Sequence, residues 1–308
     1  MKILQINNFT SIQEKCVATI GMFDGVHIGH RKILTELTNI AKEQQCKSIV
    51  ITFNNHPRSV LEKDSLSQVK LIQTTSERFQ TIASYNIDYL IAVTFTKEFA
   101  SLTPKQFLDE ITEQVNIKYL LLGYDNRFGN PSNGEYDELL KTGFYKNIEI
   151  RKDEKGIDYK GIEVSSTQIR KAISLGEIDK ANNMLTRPYN ITANVIKGFQ
   201  NGTKIGFPTA NILPPKEKII PKSGVYLTKV IYNNNVYNSI TNIGNNPTFE
   251  GKETTIESYI MDFSKNLYGE EISIEFLHFV RDEIKFENKE QLRKQMQEDI
   301  EYAKKYFA

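Results

Sequence analysis

Three of the chain's four histidines, His27, His30 and His56, fall within 30 residues of one another. Two of them sit in GMFDGVHIGH (21–30), which directly follows a β-rich run, CVATIG (16–21). Gly21 and Gly25 permit a tight turn and a close approach of backbone to a ligand. His27 and His30, three residues apart at a helix start, can share one face of its first turn. That end of a helix presents free N–H groups and partial positive charge, which suits phosphate. Donors from both rings would stabilise charge building on a triphosphate attacked at its α-phosphorus. The blander reading is a pair of surface histidines beside an ordinary turn. A metal site is the other option, but no further Cys/His cluster supplies ligands.

Further along, VSSTQIR (164–170) opens a helical stretch. Ser165, Ser166 and Thr167 can cap it, and capping alone would explain Ser166. Arg170, one turn in, is suited to bidentate phosphate contact. A second centre lies in GFQNGTKIGFPTAN (198–211), which is not a Walker A sequence. Gly198, Gly202 and Gly206 suggest a loop whose backbone N–H groups could approach phosphates. Thr209 and Asn211 lie two apart on an extended segment, so their side chains point the same way. A hydroxyl and an amide oxygen there are hard ligands, suited to Mg²⁺ shared with substrate phosphates; a glycine-rich hairpin with a proline turn is the plain alternative. In TIESYIMDF (255–263), Glu257 alternates with Ile256 and Ser258 on a strand, usually a solvated outward face. His278, between Leu277 and Phe279, reads as structural, and Arg281 as a surface ion pair with Asp282 or Glu283.

The elements that must hold these residues change character near residue 186. Before it, SIVITF (48–53), DYLIAVTF (88–95) and KYLLLG (118–123) alternate with amphipathic stretches near 28–45, 76–86 and 104–115. Short apolar runs joined by helical crossovers indicate buried parallel strands in a doubly wound α/β sheet. Ligands on such sheets sit in loops at the carboxyl ends of strands. After it, ITANVI, GVYLTKVIY, VYNSITNI, TIESYIMDF and EISIEFLHFV follow closely, punctuated by Gly, Pro and Asn. Strands without intervening helices suggest a small antiparallel β-barrel. A charged C-terminal helix over about 289–305 can gather Leu292, Met296, Ile300 and Ala303 on one face. The expected domains are therefore 1–186 and 187–308.

The 308 residues carry 39 basic and 38 acidic side chains, for a net charge of +1. The balance holds in both parts, with 23 basic and 23 acidic residues up to 186 and 16 and 15 after it. That argues against nucleic acid or an anionic membrane as the main partner. Cys16 and Cys46 are too few for a disulfide framework or zinc ribbon and suit a reducing compartment. The opening MKILQINNFTSIQ lacks the apolar core of a signal peptide, and no run approaches the ~20 residues that cross a bilayer. A cytoplasmic protein, monomer or weak homo-oligomer, is expected. With no Trp, stacking on a planar ligand falls to the 17 Phe and 15 Tyr.

The GMFDGVHIGH and SSTQIR segments together resemble the HxGH-type, Rossmann-like nucleotidyltransferase superfamily. More narrowly, TFNNHPRSVL (52–61) and GYDNRFGN (123–130) are similar to the adenylyltransferase half of bacterial bifunctional riboflavin kinase/FAD synthetases. That family usually has G-x-D-F-x-F-G at the last motif; here Asp125, Phe128 and Gly129 match, and Asn126 replaces an aromatic residue. The second half resembles the riboflavin kinase pattern in order: GFPTAN, GVY (224–226), NIGNNPTF (242–249), ESYIMDF and LYG (267–269). The resemblance implies that riboflavin is phosphorylated by ATP to FMN, and FMN then adenylylated by a second ATP to FAD and pyrophosphate, both with Mg²⁺. It implies that His27 and His30 act on the ATP triphosphate, with Ser165, Thr167 and Arg170 closing over it. Gly21, Phe23, Asp24, Gly25, His56, Pro57 and Asp125 would bind nucleotide or flavin. In the barrel, Gly198, Gly202, Gly206 and Pro208 would shape the ATP loop. Thr209 and Asn211 would hold Mg²⁺–ATP, and Glu257 would be general base toward the terminal ribityl hydroxyl. The rivals are an enzyme retaining one activity, an enzyme using another phosphate-bearing acceptor, and an inactive flavin-sensing or RNA-binding regulator.

Overall fold

A computed structural model describes the chain except for residues 7, 9, 62–68, 131–133, 199–201, 203–205 and 249–250. Parts of two sequence motifs, the glycine-rich loop at 199–201 and 203–205 and Phe249, lie outside the described residues. Contacts group the chain into two units, Met1–Ser166 and Thr167–Ala308.

In the first unit, β1 (Lys2–Gln5), β2 (Ile12–Ile20), β3 (Lys47–Phe53), β4 (Tyr89–Val93), β5 (Val115–Leu122), β6 (Phe144–Tyr145) and β7 (Ile148–Lys152) form one sheet. Their order is β1-β4-β3-β2-β5-β7-β6, and every pairing is parallel except β6–β7. The helices are α1 (Ile28–Glu43), α2 (Pro57–Leu61), α3 (Thr75–Ala83), α4 (Lys97–Ser101), α5 (Pro104–Thr112) and α6 (Glu135–Thr142). A small hairpin, β8 (Asp158–Tyr159) with β9 (Ile162–Glu163), follows.

Side-chain alternation explains why the central strands read as unbroken apolar runs. Ala18, Ile20, Ile49, Ile51, Leu120 and Leu122 face one core, shared with Phe107, Leu108 and Ile111 of α5. Their neighbours Val17, Val50 and Leu121 face the other, against Leu34 and Leu37 of α1 and Ile82 of α3. With period two and helices on both faces, both sets of side chains are buried. Each fully buried Leu or Ile contributes roughly 1.5–3 kcal/mol by transfer from water. Two helix starts are fixed by sequence: Thr74 with Glu77 before α3, and Thr103 with Gln106 before α5, form capping boxes. The strand order continues from β2 to β3 on one side and to β5 on the other, so a crevice opens at the carboxyl ends of β2 and β5.

The second unit holds α7 (Ser166–Ser174), of which Ser166 counts with the first, and α8 (Ile178–Leu185). Next come β10 (Tyr189–Ile196), β11 (Ala210–Ile212), β12 (Gly224–Tyr232), β13 (Asn235–Thr248), β14 (Gly251–Ile260), β15 (Glu271–Arg281) and α9 (Lys289–Phe307). The strands close a barrel in the order β10-β11-β14-β13-β12-β15, with antiparallel pairing throughout. Contacts place the division earlier than residue 186 because α8 packs on the barrel. Asn182 donates to the Phe276 carbonyl at 2.8 Å and accepts from the Tyr189 N–H at 2.7 Å.

Inside the barrel, Thr228, Ser239, Thr241 and Ser258 are fully buried and satisfied as one hydroxyl chain with links of 2.6–2.7 Å. The opposite face of the same strands carries Val225, Leu227 and Ile240, which pack against Ile300 and Ala303 of α9. Asn242 and Glu257 are on that outward face, beside the helix.

Candidate active sites

The first site is built on the turn between β2 and α1. Phe23 and Val26 hold positive φ angles of 52° and 39°, beside Gly25 at 82°; the Val26 N–H donates to the Phe23 carbonyl at 3.0 Å. Left-handed backbone at a bulky and a β-branched residue is costly and clusters at functional turns. The turn delivers His27 as N-cap of α1, and its ring stacks on His30 with centroids 3.7 Å apart and planes 20° apart. Phe23 tilts against His30 at 5.1 Å. A Cβ at Gly29 would lie 3.2 Å from the His27 ring, so this glycine leaves room for the stack. Burial first, then the charges of His27 and Arg78, hold the His30 imidazole well below its usual pKa. His30 is therefore neutral at neutral pH.

His27 and His30 share a recess with Gly123 and Asp125 of the loop after β5. Lys32 and Asp153, an ion pair at 2.8 Å, stand at its rim. Asp24 is buried and accepts from the backbone N–H groups of Ile72 and Gln73 at 3.0 and 3.1 Å, fastening the turn to the start of α3. A Cβ at Gly21 would lie 3.1 Å from the Phe23 ring. His56 and Pro57 follow β3, at the same edge of the sheet, where His56 Nδ1 accepts from the Arg58 N–H at 3.2 Å. Ser166 does something other than the capping expected of it: its hydroxyl donates to the Asp24 carbonyl at 2.8 Å. Ser165 immediately precedes α7; Thr167 and Arg170 lie on it, with Nη2 and Oγ1 3.5 Å apart, and belong to the second unit.

Asn126 takes the place of the expected aromatic residue and makes polar contacts. Its side-chain amide donates to the Ile20 carbonyl at the end of β2, and its own carbonyl accepts from the Tyr136 hydroxyl. The buried Phe128 supplies aromatic packing, against Phe107 at 5.4 Å and Tyr136 at 5.5 Å.

The second site lies on the outward face of the barrel. Across β11, β14 and β13, Asn211, Glu257 and Asn242 stand in one row of paired positions. Thr209 Oγ1 donates to Glu257 Oε2 at 3.4 Å, and Asn211 Nδ2 donates to the Thr209 carbonyl at 3.3 Å. Gly198 faces the Asn211 amide so closely that a Cβ would lie 2.5–2.8 Å from it. A Cβ at Gly202 would strike the Phe207 carbonyl, which belongs to the residue whose N–H donates to Gly202 O at 2.8 Å. Gly206, at φ 89°, and Pro208 lead the chain into β11. Burial pushes the Glu257 carboxyl above its usual range, against the lowering effect of the Thr209 hydroxyl.

Thr209, Asn242 and Glu257 open on a cavity of about 290 Å³ whose far wall is α9, through Leu292, Met296 and Ile300. Arg281 proves not to be a surface pair with Asp282 or Glu283. It grips Asp299 of α9 bidentately, at 3.0 and 2.7 Å, and Gln295 supports the same carboxylate at 3.1 Å. Asp299 is seventeen residues beyond Asp282, so no local spacing marked it. Arg78, Gly29 and Asn242 were missed for related reasons: an arginine in an amphipathic helix, a glycine in a turn and an asparagine in a strand are individually commonplace. His278 is structural as expected, with Nδ1 2.9 Å from Asp179 of α8.

A doubly wound α/β unit with two stacked histidines in the turn after β2, and a closed barrel with a carboxylate beside a threonine hydroxyl, are the architecture of a two-domain nucleotide-using transferase. The comparisons with known proteins agree. A family model described as FAD synthetase matches residues 9–168, and one described as riboflavin kinase matches 185–307. A bifunctional riboflavin kinase/FMN adenylyltransferase of Listeria monocytogenes is 34% identical over 95% of this chain and 92% of that protein. The Bacillus subtilis and Escherichia coli K12 proteins of the same description are 35% and 31% identical, over 96% and 100% of this chain and 94% and 98% of theirs. A crystal structure from Streptococcus pneumoniae, described as a macrolide-efflux protein, superposes with a TM-score of 0.90 at 29% identity over 99% of each chain. Among the described residues of this chain, no helix is long and apolar enough to cross a membrane. The chain belongs to the bifunctional riboflavin kinase/FMN adenylyltransferase family and is an enzyme of both activities.

Proposed function

We propose that the two activities are divided between the two sites, with FMN made on the barrel and FAD made on the α/β unit. In the first reaction, Glu257 takes the proton of the terminal ribityl hydroxyl as that oxygen attacks the γ-phosphorus of ATP and ADP departs. The observation that carries this is a carboxylate made more basic by burial, hydrogen-bonded to Thr209 and open to the cavity under α9. A general base needs such reach and affinity for a proton. Thr209 and Asn211 are of the types that fit Mg²⁺: the Thr209 hydroxyl stands 3.4 Å from the Glu257 carboxylate, and the Asn211 amide, whose Nδ2 is 3.4 Å from that hydroxyl, would present its oxygen by turning over beside Gly198. When bound there with the nucleotide, the ion would neutralise phosphate charge. Gly198, Gly202, Gly206 and Pro208 shape the backbone that approaches those phosphates.

In the second reaction, a phosphate oxygen of FMN attacks the α-phosphorus of another ATP, and pyrophosphate leaves. His27 and His30, stacked and aimed into the recess, donate to the phosphate oxygens as charge builds on them. A neutral His30 can do this without giving up a full proton. Gly21, Phe23, Asp24 and Gly25 form the turn; His56, Pro57 and Asp125 lie where a nucleotide or flavin on this sheet edge would sit. Ser165, Thr167 and Arg170 keep their assignment to the same phosphates on the motif resemblance alone. As functional segments, residues 1–186 carry the adenylyl-transfer motifs and 187–308 the kinase motifs. We take the enzyme to be cytoplasmic, a monomer or weak homo-oligomer, with no nucleic-acid partner.

The test separates the half-reactions. His30→Ala should lower FAD formation from FMN by about 10²–10³-fold while FMN formation from riboflavin persists. Glu257→Gln should do the reverse. If either substitution depresses both reactions equally in folded protein, the division is wrong.

A further inference from the structure

Beneath the phosphate turn lies a charge that the reaction scheme does not use. Arg78, in the second turn of α3, is fully buried. Its Nη2 donates to the Phe53 carbonyl at the end of β3, and Nη1 lies 3.7 Å from the Met22 sulfur in the turn after β2. Its Nε is buried without a hydrogen-bond partner. A guanidinium is costly to bury and stays cationic at neutral pH; here burial lowers its pKa to about 10, while the Asp24 carboxylate opposes that shift. Asp24 in turn is held by the Ile72 and Gln73 N–H groups just before α3. Helix α3 is thus fastened to the phosphate turn twice, once through each charge. A Leu or Met could fill the space, but it would take a hydrogen-bond partner from the Phe53 carbonyl and a counter-charge from the buried Asp24.

We propose that Arg78 is a positioning residue for adenylyl transfer: it fixes the carboxyl ends of β2 and β3 under the His27–His30 pair and supplies a buried positive field for the attacked polyphosphate. This rests on the first site being the adenylyl-transfer site. Its effect is electrostatic as well as geometric, because the buried Arg78 charge reaches His30, whose pKa it helps to lower. The kinase reaction on the same chain is the internal control.

The experiment measures FAD formation from FMN, FMN formation from riboflavin, and thermal unfolding for Arg78→Gln, Arg78→Lys and His30→Ala. The Gln variant, folded and making FMN at the wild-type rate, should lose roughly 10²-fold in kcat for FAD. The Lys variant, which keeps the charge but not the fork, should lose only about tenfold. Wild-type FAD kcat in a folded Gln variant overturns the proposal, as does an equal loss in Gln and Lys. Should the Gln variant not fold, Lys decides alone: a lowered FAD kcat with unchanged unfolding and FMN formation supports the role, and an unchanged kcat overturns it. If His30→Ala leaves FAD formation intact, the site reading fails, and not the inference about Arg78 alone.

Discussion

Burial acts on the key titratable group of each site, and in opposite chemical senses. His30, half-buried beside Phe23 and His27, is driven to release its proton, while Glu257, half-covered on the barrel wall, is driven to keep one. Desolvation disfavours whichever form is charged, so one rule yields a neutral donor in one place and a strengthened base in the other. The difference suits the chemistry. A phosphate nucleophile such as FMN needs no base, only donors for the charge on the attacked group; an alcohol such as riboflavin needs its proton removed. The backbone differs correspondingly. The α/β site is a strained turn held from below by α3, whereas the barrel site is an open strand face completed by a helix.

The sharpest way to break this contrast is to exchange the substrates offered to the two knockouts. Glu257→Gln should lose about 10³-fold in FMN formation and nothing in FAD formation from FMN. A smaller effect should follow Gly29→Ala, whose added methyl crowds the His27 ring at 3.2 Å and should cut FAD formation by roughly 10–10²-fold, kinase activity serving as control. On the barrel, Asp299→Asn weakens the bidentate grip of Arg281 and loosens α9. Riboflavin KM should rise by roughly tenfold with little change in ATP KM, and equal effects on both would show that α9 does not wall a flavin cavity. The smallest effect sharpens the electrostatic contrast. Because the Glu257 pKa is raised above 4.5, the kinase rate should fall on acidification before an ordinary glutamate would protonate. No part of the FAD profile near pH 6.5 should trace to His30, which is neutral well below that value; a loss there that survives in His30→Ala belongs to the FMN phosphate, whose second pKa is about 6. A limb near 6.5 in the FAD profile that disappears in His30→Ala would contradict this.

Much of the scaffold was legible because periodicity is local. GVYLTKVIY is the whole of β12, and CVATIG, SIVITF and KYLLLG mark the central strands that carry site loops at their ends. The edge strand β1, the strand β7 and the three-residue β11 were not: β1 is mostly exposed and β7 half-charged, so neither shows a clear hydrophobic period, and β11 is too short to show one. The site divides in the same way. His27, His30, Thr209, Asn211 and Glu257 announce themselves through spacing, and the structure gathers each set within its unit. Arg78 and Asp299 do not, because their partners, Phe53 and Arg281, are brought to them by tertiary packing across intervening elements. Asn126 was visible as a departure from a motif, yet its contact with the Ile20 carbonyl depends on β5 lying beside β2.

The central claim is that the chain holds two independent reaction centres. An equimolar mixture of His30→Ala and Glu257→Gln proteins, supplied with riboflavin and ATP, tests it most directly. The account predicts that each variant alone makes FAD from riboflavin at least about 10²-fold more slowly than the wild type, and that the mixture restores it, through FMN released by the first and adenylylated by the second. A mixture that stops at FMN, although Glu257→Gln alone converts added FMN, would contradict it.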